Sequence, residues 1–288
     1  MATGSTFPAR MLGRQLRRLR NEAGIAKTDA EKALGVSANT IWRIESGQST
    51  RLSRPQVREL CDLYNAEPDI RDVLFELVGE LGKPGWWHAY GGAYERRFDM
   101  YLALEEAADR LTTFQLTLLP GLVQTRDYRR AVMWAAYPQM SQYEVERRVE
   151  LAARRQLRLQ DPRLTMEVLL SESALLHHVG GRAVMADQLR HLARLSEQVN
   201  VSVRVVPLTV CHIGLQTGPF VLLEFPKHKR DGWSEPPVVY VESYMGARYM
   251  ETDEEIGQYR IGSDEIRRVA LDAEASRRLF LERTEEFE

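Results

Sequence analysis

The sequence predicts a chain in two parts: a mainly α N-terminal bundle of five short helices, followed by an α+β C-terminal domain in which helices flank a small sheet. Three observations predict this fold class. Apolar residues recur at helical spacing through roughly the first eighty residues, glycines and capping residues separate these helical stretches, and strand-like runs occur in the second part. A length of 288 residues is enough for two domains.

The N-terminal helices are predicted over residues 8–23, 27–34 and 38–46, from Ser53 to about 64, and over 70–81. Between the second and third, Gly35 permits a tight turn because glycine adopts positive φ without strain. Val36 is the apolar residue of that turn, and Ser37 caps the third helix, which buries Ile41 and Ile44. Two helices joined by such a turn are typical of a helix-turn-helix motif.

Charge is distributed unevenly along the chain. Residues 1–58 contain eleven Lys and Arg but four Asp and Glu, whereas the remainder contains 28 and 37, although the whole chain carries a net charge of −2. A basic N-terminal part on an acidic body favours one end that faces phosphates. Chance clustering of charges is the alternative.

The segment KTDAEKALGVSANTIWRIESGQ, residues 27–48, closely resembles the Xre/lambda-repressor type of helix-turn-helix. The resemblance implies that the third helix enters the major groove of DNA. Many relatives begin the second helix with glutamine, and here Lys27 occupies that position. Lysine can hold a phosphate but cannot pair with a side-chain amide as glutamine does, which puts the family's usual bracing of the third helix in doubt.

The side chains expected to contact base edges are Ala38, Asn39, Trp42 and Arg43. Asn39 offers a donor and an acceptor to adenine, Arg43 can donate two hydrogen bonds to guanine, and Ala38 can touch a thymine methyl. Alternatively, Asn39 is only a polar surface group and Arg43 contacts phosphate. Trp42 either lies over a sugar-phosphate edge or packs against the fourth helix.

A second group of residues is expected to contact phosphates and so to position the protein on DNA. These residues are Arg17, Arg18, Lys27, Ser37, Thr40, Arg51 and Arg54. For each arginine, a solvated surface role is the alternative.

We expect residues 1–81 to form the DNA-binding domain, 82–92 a connecting segment rich in Gly, Pro and aromatic residues, and 93–288 the second domain. In that domain we predict helices over 99–110, 125–136, 141–159 and 182–198, and a helical tail over 253–285 with a break near Gly262. The strand-like runs are LTMEVLLSES, VSVRVVPL, FVLLEF and VVYVES.

Four further segments resemble the C-terminal domain, of unknown function, of actinobacterial regulators described as antitoxin-like: LLPGLVQTRDYRRAV, ESALLHHVGGRAVMADQL, GPFVLLEF and VVYVESYMGARYMETDEEIGQY. Genes for such proteins often lie beside a gene for a small partner protein. The resemblance implies membership in the group but no chemistry.

Catalytic, metal and membrane functions find little support in the sequence. There is no phosphate-binding or nucleophile motif, His177–His178 and Cys211–His212 are adjacent pairs with poor geometry for a shared metal or a nucleophile and base, and no cofactor is expected. Neither cysteine lies in a CxxC motif, and no apolar run is long enough to span a bilayer. These features favour a cytoplasmic protein that is not an enzyme.

The predicted function is therefore that of a sequence-specific DNA-binding transcriptional regulator. We expect a homodimer on a palindromic operator, with the second domain serving dimerisation and the binding of an effector or partner protein. The alternative is an antitoxin-like interaction protein that binds a small protein encoded nearby and binds DNA to regulate its own gene.

Overall fold

The computed structural model describes residues 7–48, 52–95, 98–228 and 233–288. Contacts divide these residues into two compact units. The first comprises the described residues within Met1–Ala89, Glu95–Ala107 and Lys229–Trp233, and the second those within Tyr90–Tyr94, Ala108–His228 and Ser234–Glu288. The predicted connecting segment at 82–92 remains a prediction, and each unit is described by itself below.

The first unit is helical. Its α-helices are α1 (Phe7–Glu22), α2 (Lys27–Leu34), α3 (Ala38–Glu45), α4 (Arg54–Leu63), α5 (Pro68–Glu80) and α6 (Asp99–Ala107). Local sequence explains where two of these helices begin. Ser53 and Gln56 form a capping box at the start of α4. Pro68 occupies the first turn of α5, where the missing N–H of proline would have no helical partner in any case. The predicted five-helix bundle is confirmed.

The core of this unit lies between these helices. Leu16 of α1, Ile41 of α3, Leu60 of α4 and Leu74 of α5 are almost completely buried in one apolar cluster. Trp233, which lies far along the chain, belongs to the same cluster. Burying a large apolar side chain contributes roughly 1.5–3 kcal/mol, so this shared cluster is the main source of the unit's stability.

The second unit combines helices with one sheet. Its helices are α7 (Arg126–Ala136), α8 (Gln142–Gln156), α9 (Arg182–Leu195), α10 (Gly214–Thr217), α11 (Asp253–Val269) and α12 (Ala273–Phe287). Its strands are β1 (Arg110–Gln115), β2 (Thr165–Ser171), β3 (Val201–Val206), β4 (Phe220–Glu224), β5 (Val238–Ser243) and β6 (Gly246–Met250).

In the described part of this unit, the six strands form a mixed sheet in the order β3-β2-β1-β4-β5-β6. Strands β1, β2 and β3 pair in parallel, and the β1–β4, β4–β5 and β5–β6 pairs are antiparallel. The backbone of Val205 in β3 bonds to Leu271 and to the hydroxyl of Ser276, so the start of α12 covers that edge strand. The predicted α+β class, with helices flanking a sheet, is confirmed.

Three details differ from the predictions. The helix predicted over 99–110 ends at Ala107, and β1 follows at once. Neither β1 nor β6 was predicted as a strand. Strand β6 is a short edge strand that runs antiparallel to β5. Its pairing with β5 determines its conformation more than its own composition does. The helical tail does not break at Gly262, which lies within α11; the break lies before α12, where the Asp272 side chain caps the helix by accepting a hydrogen bond from the Ala275 amide.

No helix in the described ranges is both long and apolar enough to cross a membrane.

Candidate DNA interface

The turn between α2 and α3 has the geometry that its residues require. Gly35 adopts φ 62° and ψ 35°, the left-handed conformation that ends α2. The Val36 amide donates to the Glu31 carbonyl at 3.0 Å, and the Val36 side chain packs partly into the helical core. Ser37 Oγ then accepts from the Thr40 amide at 3.3 Å, which starts α3.

Helix α3 separates a buried face from an exposed one. Ile41 and Ile44 point into the core. The four predicted base-contacting residues, Ala38, Asn39, Trp42 and Arg43, are all exposed on this helix. Trp42 is 49% exposed, which leaves a large indole surface available. Their roles toward bases remain predictions.

A buried ion pair that the sequence analysis did not single out holds α3 against α1. Arg20 Nε lies 2.5 Å from Glu45 Oε1, and Arg20 Nη2 lies 3.1 Å from Glu45 Oε2. Arg20 Nη1 also donates to the Ile25 carbonyl at 3.0 Å, so the guanidinium joins three segments. The hydrogen bond with Glu45 raises the pKa of Arg20 in spite of its burial. The sequence signal for this pair is a charged residue at an otherwise inward-facing position of each helix.

Two glycines allow α1 and the end of α3 to approach closely. A Cβ on Gly13 would lie 2.2 Å from the Ile44 carbonyl oxygen. A Cβ on Gly47, where φ is 68°, would lie 2.5 Å from the Cα of Arg10. The backbone contact and the ion pair together fix the orientation of α3 in the unit.

The predicted phosphate-contacting residues differ in their exposure and in the side chains that they contact. Arg17 and Lys27 are exposed, whereas Arg18 forms an ion pair with Glu22 at 2.6 Å. The guanidinium of Arg54 lies 4.8 Å from the centre of the Phe75 ring, a cation–π contact that holds it on α5. Arg51 lies outside the described residues.

Ser37 and Thr40 are brought together, because their hydroxyl oxygens lie 3.1 Å apart. Ser37 thus has a structural role at the helix start in addition to the predicted phosphate contact. Lys27 is the first residue of α2, and Ala26 before it provides no side-chain cap. A phosphate near Lys27 would therefore also face unbonded amides at the N-terminus of α2.

The histidines of the two adjacent pairs, His177–His178 and Cys211–His212, are not arranged as a metal or catalytic site in the described residues. His178 packs edge-on against Phe287 with ring centres 4.8 Å apart, and His212 lies edge-on to Phe114 at 5.7 Å. Burial lowers the pKa of His212. Among the residues that the structure describes, no group of three or more His, Cys, Asp or Glu is placed to share a metal ion.

Comparison with known families identifies both parts of the chain. Residues 11–74 match the family described as a helix-turn-helix domain, and residues 98–282 match the family described as a domain of unknown function, DUF5753. No curated protein and no solved structure matches the chain.

Proposed function

Because the chain belongs to the DUF5753 family and joins that domain to a DNA-binding helix-turn-helix domain, we propose that it is a sequence-specific transcriptional regulator of the Xre type. In this proposal the helical unit reads the operator. The second unit provides the dimer contacts and receives an effector or partner, and the protein acts in the cytoplasm on the nucleoid.

The observation that carries the proposal is the exposed face of α3. Asn39, Trp42 and Arg43 present hydrogen-bonding and aromatic groups from a short helix, while the opposite face is anchored by the core and by the Arg20–Glu45 pair. A major groove about 12 Å wide admits one helix, and bidentate side chains of these types discriminate base pairs. A rigidly held helix with this exposed face supports direct base recognition.

The proposed dimer is supported by the usual geometry of the motif. One recognition helix reads only a few base pairs, so high specificity requires two copies on half-sites about 34–36 Å apart. A twofold symmetric dimer would match a palindromic operator.

The test is fluorescence anisotropy of the full chain on labelled DNA from upstream of its own gene, with scrambled DNA of the same composition as the control. We expect the upstream DNA to bind at least about 10³-fold more tightly, as specific sites do. Both affinities should fall as salt rises, because bound lysines and arginines displace counterions. Equal affinities for the two DNAs at physiological salt would contradict sequence-specific regulation.

A second candidate function is the binding of a small partner protein encoded nearby, with DNA binding as autoregulation. The observation that favours it is a set of three exposed aromatic side chains: Trp134 on α7, Tyr137 just after the end of α7, and Tyr143 on α8. Exposed aromatic residues are typical of protein interfaces. Co-expression with the neighbouring gene product should yield a stable complex, which Trp134→Ala and Tyr143→Ala weaken; the absence of a complex would contradict this second function.

A further inference from the structure

Helices α7 and α8 of the second unit carry more arginine than their own carboxylates can neutralise. Together they contain seven arginines and four acidic residues. Each of the four carboxylates already has a partner: Asp127 and Glu146 bond to Arg130, Glu150 lies 3.6 Å from Arg126, and Glu144 accepts a hydrogen bond from the capping residue Ser141. The other arginines of these helices therefore depend on negative charge from elsewhere.

Arg129 of α7 is the arginine with the fewest partners in this group. Its Nε atom is fully enclosed and has no hydrogen-bond acceptor. Neither of its Nη groups bonds to any residue that the structure describes, and part of the residue stays exposed, so a group from outside can reach the guanidinium. A guanidinium has five N–H donors and keeps its charge, and a largely buried charge normally has a partner. Within the described residues, Arg129 has none.

The charges around Arg129 do not neutralise it. Burial and the positive charge of Arg155 lower the pKa of Arg129 to about 10, and Arg148 acts in the same direction. The Glu242 carboxylate of β5 opposes this shift, but its residue is exposed and its influence is weaker than that of Arg155. The result is a region of positive potential, which attracts a negatively charged group.

Two arginines of α8 contribute to this positive region. Arg148 and Arg155 are seven residues apart, so they lie on the same side of the helix, two turns from each other. Arg155 is buried, and its Nη1 atom lies so close to Gly121 that an added Cβ there would be 3.2 Å from it. Arg148 is more open. Its guanidinium lies 6.0 Å from the centre of the Tyr137 ring and donates to the backbone carbonyl of Glu144 at 3.2 Å, and neither contact is an ion pair.

The charge of this region indicates the class of ligand. Neither Arg129 nor Arg148 forms an ion pair in the part of the chain that the structure describes. A terminal phosphate carries about −1.5 to −2 charges at neutral pH and offers three strong acceptor oxygens, so it can balance two guanidinium groups. A carboxylate, or a phosphodiester of the DNA backbone, has a single charge and can balance only one. Arginine also suits phosphate because it can donate two parallel hydrogen bonds.

We propose that Arg129 and Arg148 bind a small phosphate dianion, either inorganic phosphate or the terminal phosphate of a small ester. Arg155 adds positive charge from the buried side, and the hydroxyl of Tyr137, which lies near Arg129, can donate a further hydrogen bond. Binding breaks no existing ion pair, because the paired arginines Arg126 and Arg130 take no part in it. The inference rests on the proposed role of the second unit as the effector-binding part of a regulator.

The first experiment titrates the full chain, without DNA, by calorimetry at about pH 8 and constant ionic strength. The doubly charged probes are inorganic phosphate, glycerol phosphate and adenosine monophosphate, and the singly charged controls are dimethyl phosphate and acetate. We expect at least one doubly charged probe to bind at least about tenfold more tightly than both controls, a difference of about 1.4 kcal/mol. Equal binding of phosphate and esters would identify the inorganic ion as the ligand, and tighter binding of one ester would identify an ester; both results support the proposal.

Two results of this titration would overturn the proposal. The first is the absence of binding by every doubly charged probe at millimolar concentration. The second is an equal response to all five anions, because general screening of surface charge does not depend on the chemistry of the anion.

The second experiment uses matched variants. Arg129→Met should weaken phosphate binding at least about tenfold. Without phosphate it should keep or raise the urea midpoint, because it removes a largely buried charge that has no partner. Arg126→Met, on the same helix but in an exposed pair with Glu150, is the control and should bind phosphate normally. Arg148→Met, at a more open position, should also weaken binding. Unchanged phosphate affinity in both Arg129→Met and Arg148→Met would overturn the assignment.

DNA binding by the same variants keeps this proposal separate from the proposed function. Phosphate binding by a chain that does not distinguish DNA sequences would contradict the regulator alone. Specific DNA binding by a chain that binds no phosphate would contradict the phosphate site alone. If Arg129→Met lost affinity for scrambled DNA and the original chain bound no phosphate probe, the DNA backbone would be the ligand of Arg129, and the proposal would be overturned.

Discussion

Arg43 is the exposed side chain on α3 best suited to recognise a single base. Its guanidinium can donate two parallel hydrogen bonds to guanine, a contact worth about 1–3 kcal/mol of discrimination. We therefore expect Arg43→Ala to relax specificity at one operator position while the preference at other positions persists. The measurement is anisotropy titration on operators substituted one base pair at a time.

The matched control for Arg43→Ala is Lys32→Ala, which removes one exposed positive charge from α2. Lys32→Ala should reduce affinity little and about equally for all sequences, through the general attraction to phosphates. If Arg43→Ala gave the same uniform loss, Arg43 would be a phosphate contact, the alternative that the sequence left open.

The two cysteines should differ sharply in reactivity. Cys61 is fully buried in α4, and burial, assisted by the nearby Asp62 carboxylate and opposed by Arg71, raises its thiol pKa to about 11. Cys211 is exposed. Because the thiolate is the nucleophile, a disulfide reagent at about pH 8 should modify one thiol rapidly in the folded chain and the second only in denaturant. Cys211→Ser should abolish the rapid phase; two equivalents reacting at once would contradict burial of Cys61.

Among individual residues, the sequence predicted which side chains of α3 are exposed, but it did not predict the contacts that hold the helices of this unit together. The spacing of Ile41 and Ile44 placed Asn39, Trp42 and Arg43 on the outer face, because a helix has one period. It could not reveal that Arg20 pairs with Glu45, since the two residues lie on different helices and are separated by 25 positions in the sequence. The Arg54 contact with Phe75 is likewise a product of tertiary packing.

The Arg20–Glu45 pair is an interaction between elements, and its removal should loosen α3 from α1. Glu45→Ala leaves the Arg20 guanidinium buried without its carboxylate, a change that costs about 3–5 kcal/mol. Urea unfolding measures this loss. The double variant Arg20→Met/Glu45→Leu should lose much less, because no charge stays buried; equal losses in the single and double variants would contradict the interpretation.

Gly47 and Gly35 provide a matched comparison of close packing with backbone conformation. Both have positive φ, but a Cβ on Gly35 would meet nothing within 4 Å, whereas on Gly47 it would lie 2.5 Å from the Arg10 backbone. Gly35→Ala should cost about 1 kcal/mol, the usual penalty for a left-handed conformation. Gly47→Ala should cost clearly more and reduce DNA affinity, since α1 and α3 must separate. Similar unfolding midpoints for the two variants would contradict close contact at Gly47.

Helices were predicted more accurately than strands, because the residues that define a helix lie within it, whereas a strand also depends on distant partner strands. Helices α1 to α5 were predicted to within about two residues, because caps, prolines and 3.6-residue periodicity lie within each helix. Strand β1 was missed because its partners β2 and β4 lie more than fifty and one hundred residues away. Strand propensity depends on such neighbours, so composition alone did not distinguish β1 from the end of a helix.

At the scale of the whole molecule, no single boundary in the sequence separates the two compact units, because each unit contains several separate segments of the chain. The helical unit takes in α6 and Trp233 in addition to the N-terminal helices, and Trp86 of the predicted connecting segment donates to Glu106 at 3.2 Å. Sequence patterns change at 82–92 because the strand signals begin later, but a composition change cannot show that a distant tryptophan completes an earlier core. The stability of the DNA-binding part should thus depend on a residue in the second half of the chain.

Trp233→Ala tests this dependence in the full chain. Trp233 is only 3% exposed and packs with the core of the helical unit, so its removal should cost that unit about 3–5 kcal/mol through lost burial and a cavity. Amide hydrogen exchange should rise in peptides from α1 and α4 and stay unchanged in strands β2 and β3. Trp134→Ala, which removes a 41% exposed tryptophan from α7, is the matched control and should leave exchange in α1 and α4 at its original rate. If Trp233→Ala left α1 and α4 fully protected, the helical core would be complete without it, and the N-terminal helices would form an independent domain.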